Sequence, residues 1–355
     1  MIKNSIIIIF VLMSNFNELK ILSVDKDTLD SVIISFEMPK SLRSFFFFEP
    51  GQYVTLEKEI NNEIIRRPYS ICSSPDEPIL KIGIKKVKGG IFSTYANKSL
   101  KTGDYMRVSS PKGKFLYKNS FNNSIIAIAA GSGITPIMSI IKTILNNNKS
   151  NKIHLIYINK APNKTMFYEL LKSLELKYKN RFIISWYFTE RKIKNSYEGR
   201  INESDIVKTI SNLYSNNLYF ICGPEKMNDL CSKVLMKNNV APDQIFTELF
   251  ENKSYEKIES SINEGQMEIL YDNSLNKINF KSSETLLDSI LNNNIDVPYS
   301  CQGGVCSSCV ARLKKGEIEM KTNQILTDEE IKEGLILTCQ SVPKSKNIII
   351  DFDDV

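Results

Sequence analysis

Histidine is almost absent from this chain: one residue, His154, in 355. It lies in the apolar stretch KIHLIYI, where a sheet position in the core is expected. A single histidine excludes Ser-His-Asp catalysis at any other position, the paired-histidine ligation of a Rieske cluster, and any metal site needing two imidazoles. Long apolar runs are also missing. IIIIFVLM, residues 6–13, is the strongest, and eight residues fall far short of the roughly 20 that span a bilayer. No small-residue cleavage site follows it, so residues 1–13 read as an N-terminal extension, with Met13 an alternative start. Charge of one sign is never concentrated, and a net +6 without a basic block argues against nucleic acid as a partner. Cysteine is sparse and odd in number, seven in all, and clustered. That pattern speaks against an oxidised extracellular framework, and a cytoplasmic protein without a membrane partner is expected.

The pattern that is present changes along the chain. Short alternating runs over 14–118, such as VIISFEM, GQYVTLE and ILKIGIKK, are punctuated by turn residues and predict an antiparallel barrel or sandwich. Over 119–250, apolar strands (SIIAIAA, KIHLIYI, FIISWYF, LYFICG) alternate with amphipathic helices, which predicts a parallel α/β sheet. Residues 251–265 are polar and aperiodic, a linker. Residues 266–355 read as a hairpin, a helix, a cysteine loop and closing strands. From 265 onward there are 14 Asp/Glu against 9 Lys/Arg, so with +6 overall an acidic module follows a basic body suited to phosphorylated ligands.

YSCQGGVCSSC, residues 299–309, holds Cys301, Cys306 and Cys309 at C-x4-C-x2-C spacing, with Cys339 following 30 residues later. A disulfide framework, a zinc site, an iron–sulfur cluster and coincidence are the alternatives. Zinc favours two separated close pairs, whereas this crowding is the plant-type ferredoxin spacing for a [2Fe–2S] cluster. Two irons need four thiolates, and a tight loop wraps them only if the residues between ligands are small, as Gly303, Gly304, Ser307 and Ser308 are. Such a cluster passes single electrons, while a nicotinamide gives up a hydride. A flavin elsewhere in the chain is needed to divide the pair.

Several stretches suit that task. In RRPYSIC, Arg67 can pair with a pyrophosphate, Tyr69 can stack on the isoalloxazine or ribityl face, and Ser70 can reach the flavin N5 edge; the plainer reading is a surface strand end. Gly89 and Gly90 ahead of Ser93 and Thr94 form a phosphate nest or a simple turn. GSGITP, with Gly131, Gly133, Ile134, Thr135 and Pro136, joins a buried strand to a helix and lets a pyrophosphate approach the backbone. Cys222 in CGPEKM ends another strand, as a buried small residue or as a group beside a reacting nicotinamide. In YFTERK, Thr189, Arg191 and Lys192 suit a 2′-phosphate, or are an ordinary charged loop.

The order PGQY, RPYS, GGIFST, GSGITP, CGPEKM, TELF and then the cysteine loop resembles the ferredoxin–NADP reductase superfamily fused to a C-terminal plant-type ferredoxin, as in oxygenase reductases, over nearly the whole chain from residue 14. The resemblance implies an antiparallel β-barrel FAD domain, an α/β parallel-sheet nucleotide domain and an α+β β-grasp ferredoxin domain. It implies FAD held by Arg67, Tyr69 and Ser70, with Gly90 and Ser93 on its pyrophosphate and Glu248 and Phe250 near the ring. NADPH or NADH would meet Gly131, Gly133, Ile134 and Thr135, with Thr189 and Arg191 at the adenosine end and a lean toward NADPH. Ser70, Cys222 and Glu248 would border the hydride path, and Cys301, Cys306, Cys309 and Cys339 would bind the cluster. The implied activity is an NAD(P)H-dependent oxidoreductase that delivers electrons to a separate oxygenase; a redox module without turnover and a zinc-bearing binding protein are the competing readings. Two positions depart from the family pattern: Ile158-Asn159-Lys160 replaces its GNR, and Phe246 replaces a common histidine.

Overall fold

The computed structural model describes the chain except residues 1–15, 119–123, 147–150, 212–216, 250–263, 282–283, 294, 296, 300–302, 305–307 and 324. The proposed N-terminal extension, most of the proposed linker, Phe250, Cys301 and Cys306 therefore lie outside the described residues. Among those described, no helix is long and apolar enough to cross a membrane.

Residues 16–109 supply β1 (Phe16–Thr28), β2 (Ser31–Phe36), β3 (Tyr53–Ile60), β4 (Glu63–Ser70), β5 (Leu80–Lys85), α1 (Ile91–Lys98) and β6 (Tyr105–Ser109). The six strands pair antiparallel in the order β4-β3-β6-β1-β2-β5. An Ile71–Ile82 bridge carries the end of β4 back to β5 and closes the sheet on itself. Leu19, Ile21, Ile34, Leu56, Ile82 and Val108 are fully buried inside it. Their period-two spacing is what the alternating runs of sequence encode.

Next come β7 (Ile125–Ala130), α2 (Ile134–Asn146), β8 (Ile153–Asn159), α3 (Tyr168–Lys177), β9 (Phe182–Phe188), β10 (Tyr197–Glu198), α4 (Glu203–Ser211), β11 (Leu218–Cys222), α5 (Glu225–Lys237) and β12 (Ile245–Glu248). The strands form one parallel sheet, ordered β10-β9-β8-β7-β11-β12. Side chains of α2 and α3 cover one face, and those of α4 and α5 the other. This two-sided cover explains why β7 reads as a continuous apolar run. The order reverses between β7 and β11. That point, at the carboxyl ends of the strands, is where open α/β sheets take ligands. His154 sits in β8, half-buried, with Nε2 2.8 Å from the Ser185 hydroxyl, a sheet residue as expected.

The last unit holds β13 (Glu264–Tyr271), β14 (Ser274–Lys281), α6 (Leu286–Asn292), β15 (Val310–Lys315), β16 (Ile318–Met320), α7 (Asp328–Lys332), β17 (Leu335–Leu337), β18 (Ser341–Pro343) and β19 (Asn347–Asp351). A mixed sheet, β14-β13-β19-β15-β17, buries Met267, Ile269 and Ile350 against Leu286 and Ile290 of α6. The hairpin between β13 and β14 turns on Asp272 and Asn273, both left-handed, whose N–H groups donate to the Asp353 carboxylate at 2.9 Å. Helix α6 starts in a capping box in which the Thr285 hydroxyl accepts from Asp288 N–H.

Candidate redox site

Strand β4 ends at Ser70, which lies opposite Tyr53 of β3, and Tyr69 lies opposite Val54. Tyr69 packs its ring on Phe92 of α1 with centroids 5.6 Å apart, and burial pushes its hydroxyl well above the usual range. Arg67 Nη1 donates to the Arg66 carbonyl at 2.7 Å. Gly90 caps α1, and Ser93 one turn in accepts from Val87 N–H at 3.1 Å. A Cβ on Gly90 would lie 2.6 Å from that hydroxyl, which would have to shift to admit it. The Tyr69–Phe92 contact joins the end of β4, which carries Arg67, Tyr69 and Ser70, to α1, which Gly90 and Ser93 open.

Across the domain boundary, β7 runs into a short turn at Gly131–Gly133 before α2 begins. Gly131 is left-handed (φ 55°) with open space beyond it, and its carbonyl accepts from the Tyr157 hydroxyl at 2.8 Å. Gly133 presses on the other side of the switch point: a Cβ there would sit 2.1 Å from the Cys222 carbonyl oxygen. Thr135 donates to the Ser132 carbonyl at 3.0 Å, while Ile134 and Cys222 are fully buried. Cys222 ends β11 in register with Glu248 at the end of β12.

Glu248 is the least conventional group here. Its Oε2 is sealed from solvent and has no hydrogen-bond partner, although part of the residue remains exposed. Burial pushes its carboxyl up to about 8. Desolvation also drives the Cys222 thiol well above its ordinary range, and the Glu248 charge adds to this. An orphaned carboxyl oxygen beside a glycine cradle fits a bound group that offers a polar partner.

Contacts that the sequence did not flag join the two halves. Gly83 lets Thr135 Cγ2 and Met166 Cε come within 2.8 and 2.9 Å of where its Cβ would be. Ser139 Oγ donates to the Ser73 carbonyl at 2.7 Å, and Lys142 pairs with Glu77 at 3.0 Å. Cys72 shares a core cluster with Ile134 and Cys222. The isolated glycine inside β5 is the one signal of this close approach that was legible in advance.

Thr189 and Arg191 follow β9, two strands from β7, which is about 10 Å across the sheet from the switch point. They are not brought together with Cys222; they sit at the outer end of the same cleft edge. Glu190 between them reaches Lys164 at 2.7 Å and Lys160 at 3.7 Å, and those lysines hold its carboxyl below the usual range, the Lys164 hydrogen bond first.

In the C-terminal unit, Cys309 and Cys339 are buried with their sulfurs 3.2 Å apart. The Thr338 hydroxyl donates to the Cys309 carbonyl at 2.9 Å and holds the two segments together. Gly304 is left-handed (φ 74°), and a Cβ there would meet the Thr322 carbonyl oxygen at 2.6 Å. Two converging cysteine sulfurs supply half of the four thiolates a [2Fe–2S] cluster needs, and the chemistry of that pair fits such a cluster.

Comparison with known proteins matches residues 18–117 to the oxidoreductase FAD-binding domain, 127–233 to the oxidoreductase NAD-binding domain and 270–344 to the 2Fe-2S iron-sulfur cluster binding domain. The chain is 33% identical to a 1,2-phenylacetyl-CoA epoxidase component of Escherichia coli K12, over 96% of this chain and 99% of that one. It is 30% identical to the ferredoxin reductase component of 3-ketosteroid-9-alpha-monooxygenase from Rhodococcus rhodochrous, over 94% and 96%. Among solved structures, phthalate dioxygenase reductase superposes with a TM-score of 0.68 at 22% identity, covering 95% of this chain and 98% of that one.

Proposed function

The chain belongs to the reductase components of oxygenase systems, with FAD-binding, NAD-binding and C-terminal [2Fe–2S] domains, and from that membership we propose that it supplies phenylacetyl-CoA epoxidase with electrons from NADPH in the cytoplasmic degradation of phenylacetate. The relative at 33% identity over almost the full length of both chains supports the choice of acceptor. Bound FAD would supply the chemistry that turns a hydride from the nicotinamide into single electrons for a [2Fe–2S] cluster.

The residues of this chain have binding and positioning tasks. Arg67, Gly90 and Ser93 hold the flavin pyrophosphate, and Tyr69 and Ser70 line its ring. Gly131, Gly133, Ile134 and Thr135 give the nicotinamide nucleotide a backbone surface it can approach closely. Cys222 and Gly133, in mutual contact, fix the floor on which the nicotinamide meets the flavin. Glu248, kept protonated near neutrality by burial, presents a hydrogen-bond donor to the reacting edge. Thr189 and Arg191 bind the 2′-phosphate; the cations Lys160, Lys164 and Lys192 around a single Glu190 support NADPH over NADH. Cys301, Cys306, Cys309 and Cys339 ligate the cluster.

One observation carries the reading: the buried thiol pair lies in the same chain as a switch-point cleft with an orphaned carboxyl. The test is to mix purified protein with the epoxidase catalytic subunits, phenylacetyl-CoA and NADPH or NADH, and to measure epoxide formed per nicotinamide oxidised. Tight coupling with NADPH supports the assignment. Rapid reduction of an artificial one-electron acceptor without coupling would move the assignment to another hydroxylase or dioxygenase, a reading that the 30% relative also favours.

A further inference from the structure

The barrel and the cysteine loop touch through side chains at both ends of the loop. At its start, Tyr299 lies under the Arg66 guanidinium, with Cζ 5.1 Å from the ring centroid. At its end, the Ser308 hydroxyl is 3.2 Å from the Tyr53 hydroxyl, within a hydrogen bond. We propose that Arg66 and Tyr53 are positioning residues that clasp the cysteine loop against the barrel and so set the gap each electron crosses. This rests on the function proposed above and adds the device that makes its last internal step fast.

Both residues are themselves immobilised. Glu57 is buried, with a side chain 4% exposed, and it pairs with Arg66 on one carboxylate oxygen and Arg107 on the other. Arg66 also lies 5.2 Å from the Phe16 ring, so its guanidinium stands over two aromatic rings while pairing with a buried carboxylate. Tyr53 is backed by Gly113, whose missing Cβ would fall 3.1 Å from the ring, and its backbone pairs with Lys112 in both directions. Rigid partners such as these transmit position, whereas exposed flexible ones do not.

Their location in the sequence matters as much. Arg66 immediately precedes Arg67, and Tyr53 lies opposite Ser70 in the β3–β4 ladder. Residues assigned to the flavin and residues gripping the loop therefore occupy the same two strands. NAD(P)H gives up a hydride, so two electrons and a proton arrive at the barrel together and NAD(P)+ departs. The electrons then cross to the loop one at a time, and the proton returns to solvent once both have gone. Only the crossing depends on the clasp.

The experiment is anaerobic stopped-flow on the full-length holoprotein with NADPH, following flavin bleaching and the cluster signal separately. In Tyr299→Leu and in Tyr53→Phe, flavin reduction should run at the wild-type rate while cluster reduction slows by about ten-fold or more. Tyr299→Phe keeps the ring beneath Arg66 and should match wild type. The electron paramagnetic resonance line shape of the chemically reduced cluster should be the same in all variants, which a general loss of loop structure would alter. Wild-type cluster reduction in both Tyr299→Leu and Tyr53→Phe overturns the clasp alone. Cluster reduction as slow in Tyr299→Phe as in Tyr299→Leu overturns the cation–ring contact. If the wild-type protein binds neither flavin nor iron, the function falls and the clasp with it.

Discussion

Glu248 is a carboxyl held far from its ordinary state by burial. The folded protein holds its proton up to about 8, whereas the unfolded chain releases it near 4.5. Its contribution to stability is therefore complete below the unfolded value and is lost as pH rises toward 8. Glu248→Gln should flatten both dependences: the fall in melting temperature across that window, and any step near pH 8 in the rate of flavin reduction by NADPH. Stopped-flow reduction and thermal melts across pH 5–9 measure the two. Arg191 makes a second case at this scale. As a ligand of a 2′-phosphate it contributes a charge-assisted hydrogen bond, so Arg191→Ala should raise KM for NADPH about ten-fold and leave NADH unchanged. Equal effects on both nucleotides would remove it from that role.

At the scale of elements, the turn between β7 and α2 does two separable things. Gly133 exists for packing: its Cβ would collide with the Cys222 backbone, which cannot yield as a flexible side chain would. Gly133→Ala should therefore destabilise by about 1–3 kcal/mol, read as a lower denaturant midpoint. Gly131 meets nothing, but its left-handed backbone disfavours other residues. Gly131→Ala should cost about 1–2 kcal/mol from conformation alone. Its larger effect should be a raised KM for the nucleotide, since the new methyl occupies the cleft. Titration with NADPH alongside denaturant melts separates the two glycines. The pattern G-x-G marked the turn in the sequence, but which glycine serves packing and which serves the ligand depends on β11 lying alongside, and nothing local encodes that.

At the scale of the molecule, the units are linked by contacts of different kinds. The barrel and the parallel sheet share a buried seam at Cys72, Gly83 and Ser139. The ferredoxin unit meets the barrel through the Arg66–Tyr299 and Tyr53–Ser308 contacts. Glu330 of α7, held below the usual carboxylate range first by Thr327 N–H and its hydroxyl, also feels Lys114 of the barrel unit. Function should divide along the same lines. In Cys339→Ser, flavin reduction by NADPH should persist at near the wild-type rate while delivery to the oxygenase falls to background. Loss of both would show that the cluster is needed for the flavin site to form.

The sequence alone determined the order and chemistry of the parts. The C-x4-C-x2-C spacing, the single histidine, the G-x-G turn and the change of hydrophobic period near residue 119 are all local, and local chemistry is legible because ligand spacing and periodicity act over a few residues. An oxygenase as the electron acceptor was implied by the ordered set of motifs rather than by any single one. Tertiary structure decided what depends on residues far apart in the chain. Glu248 has an orphaned carboxyl only because β12 pairs with β11 and buries it. Cys309 and Cys339 converge only because the folded unit brings residues 30 positions apart together. Arg66, an ordinary charge beside Arg67 in the sequence, meets Tyr299 only once a domain more than 200 residues away is docked on its strand. Desolvation and cross-domain contact are properties of the assembled interior, and they arise only when distant segments exclude water together.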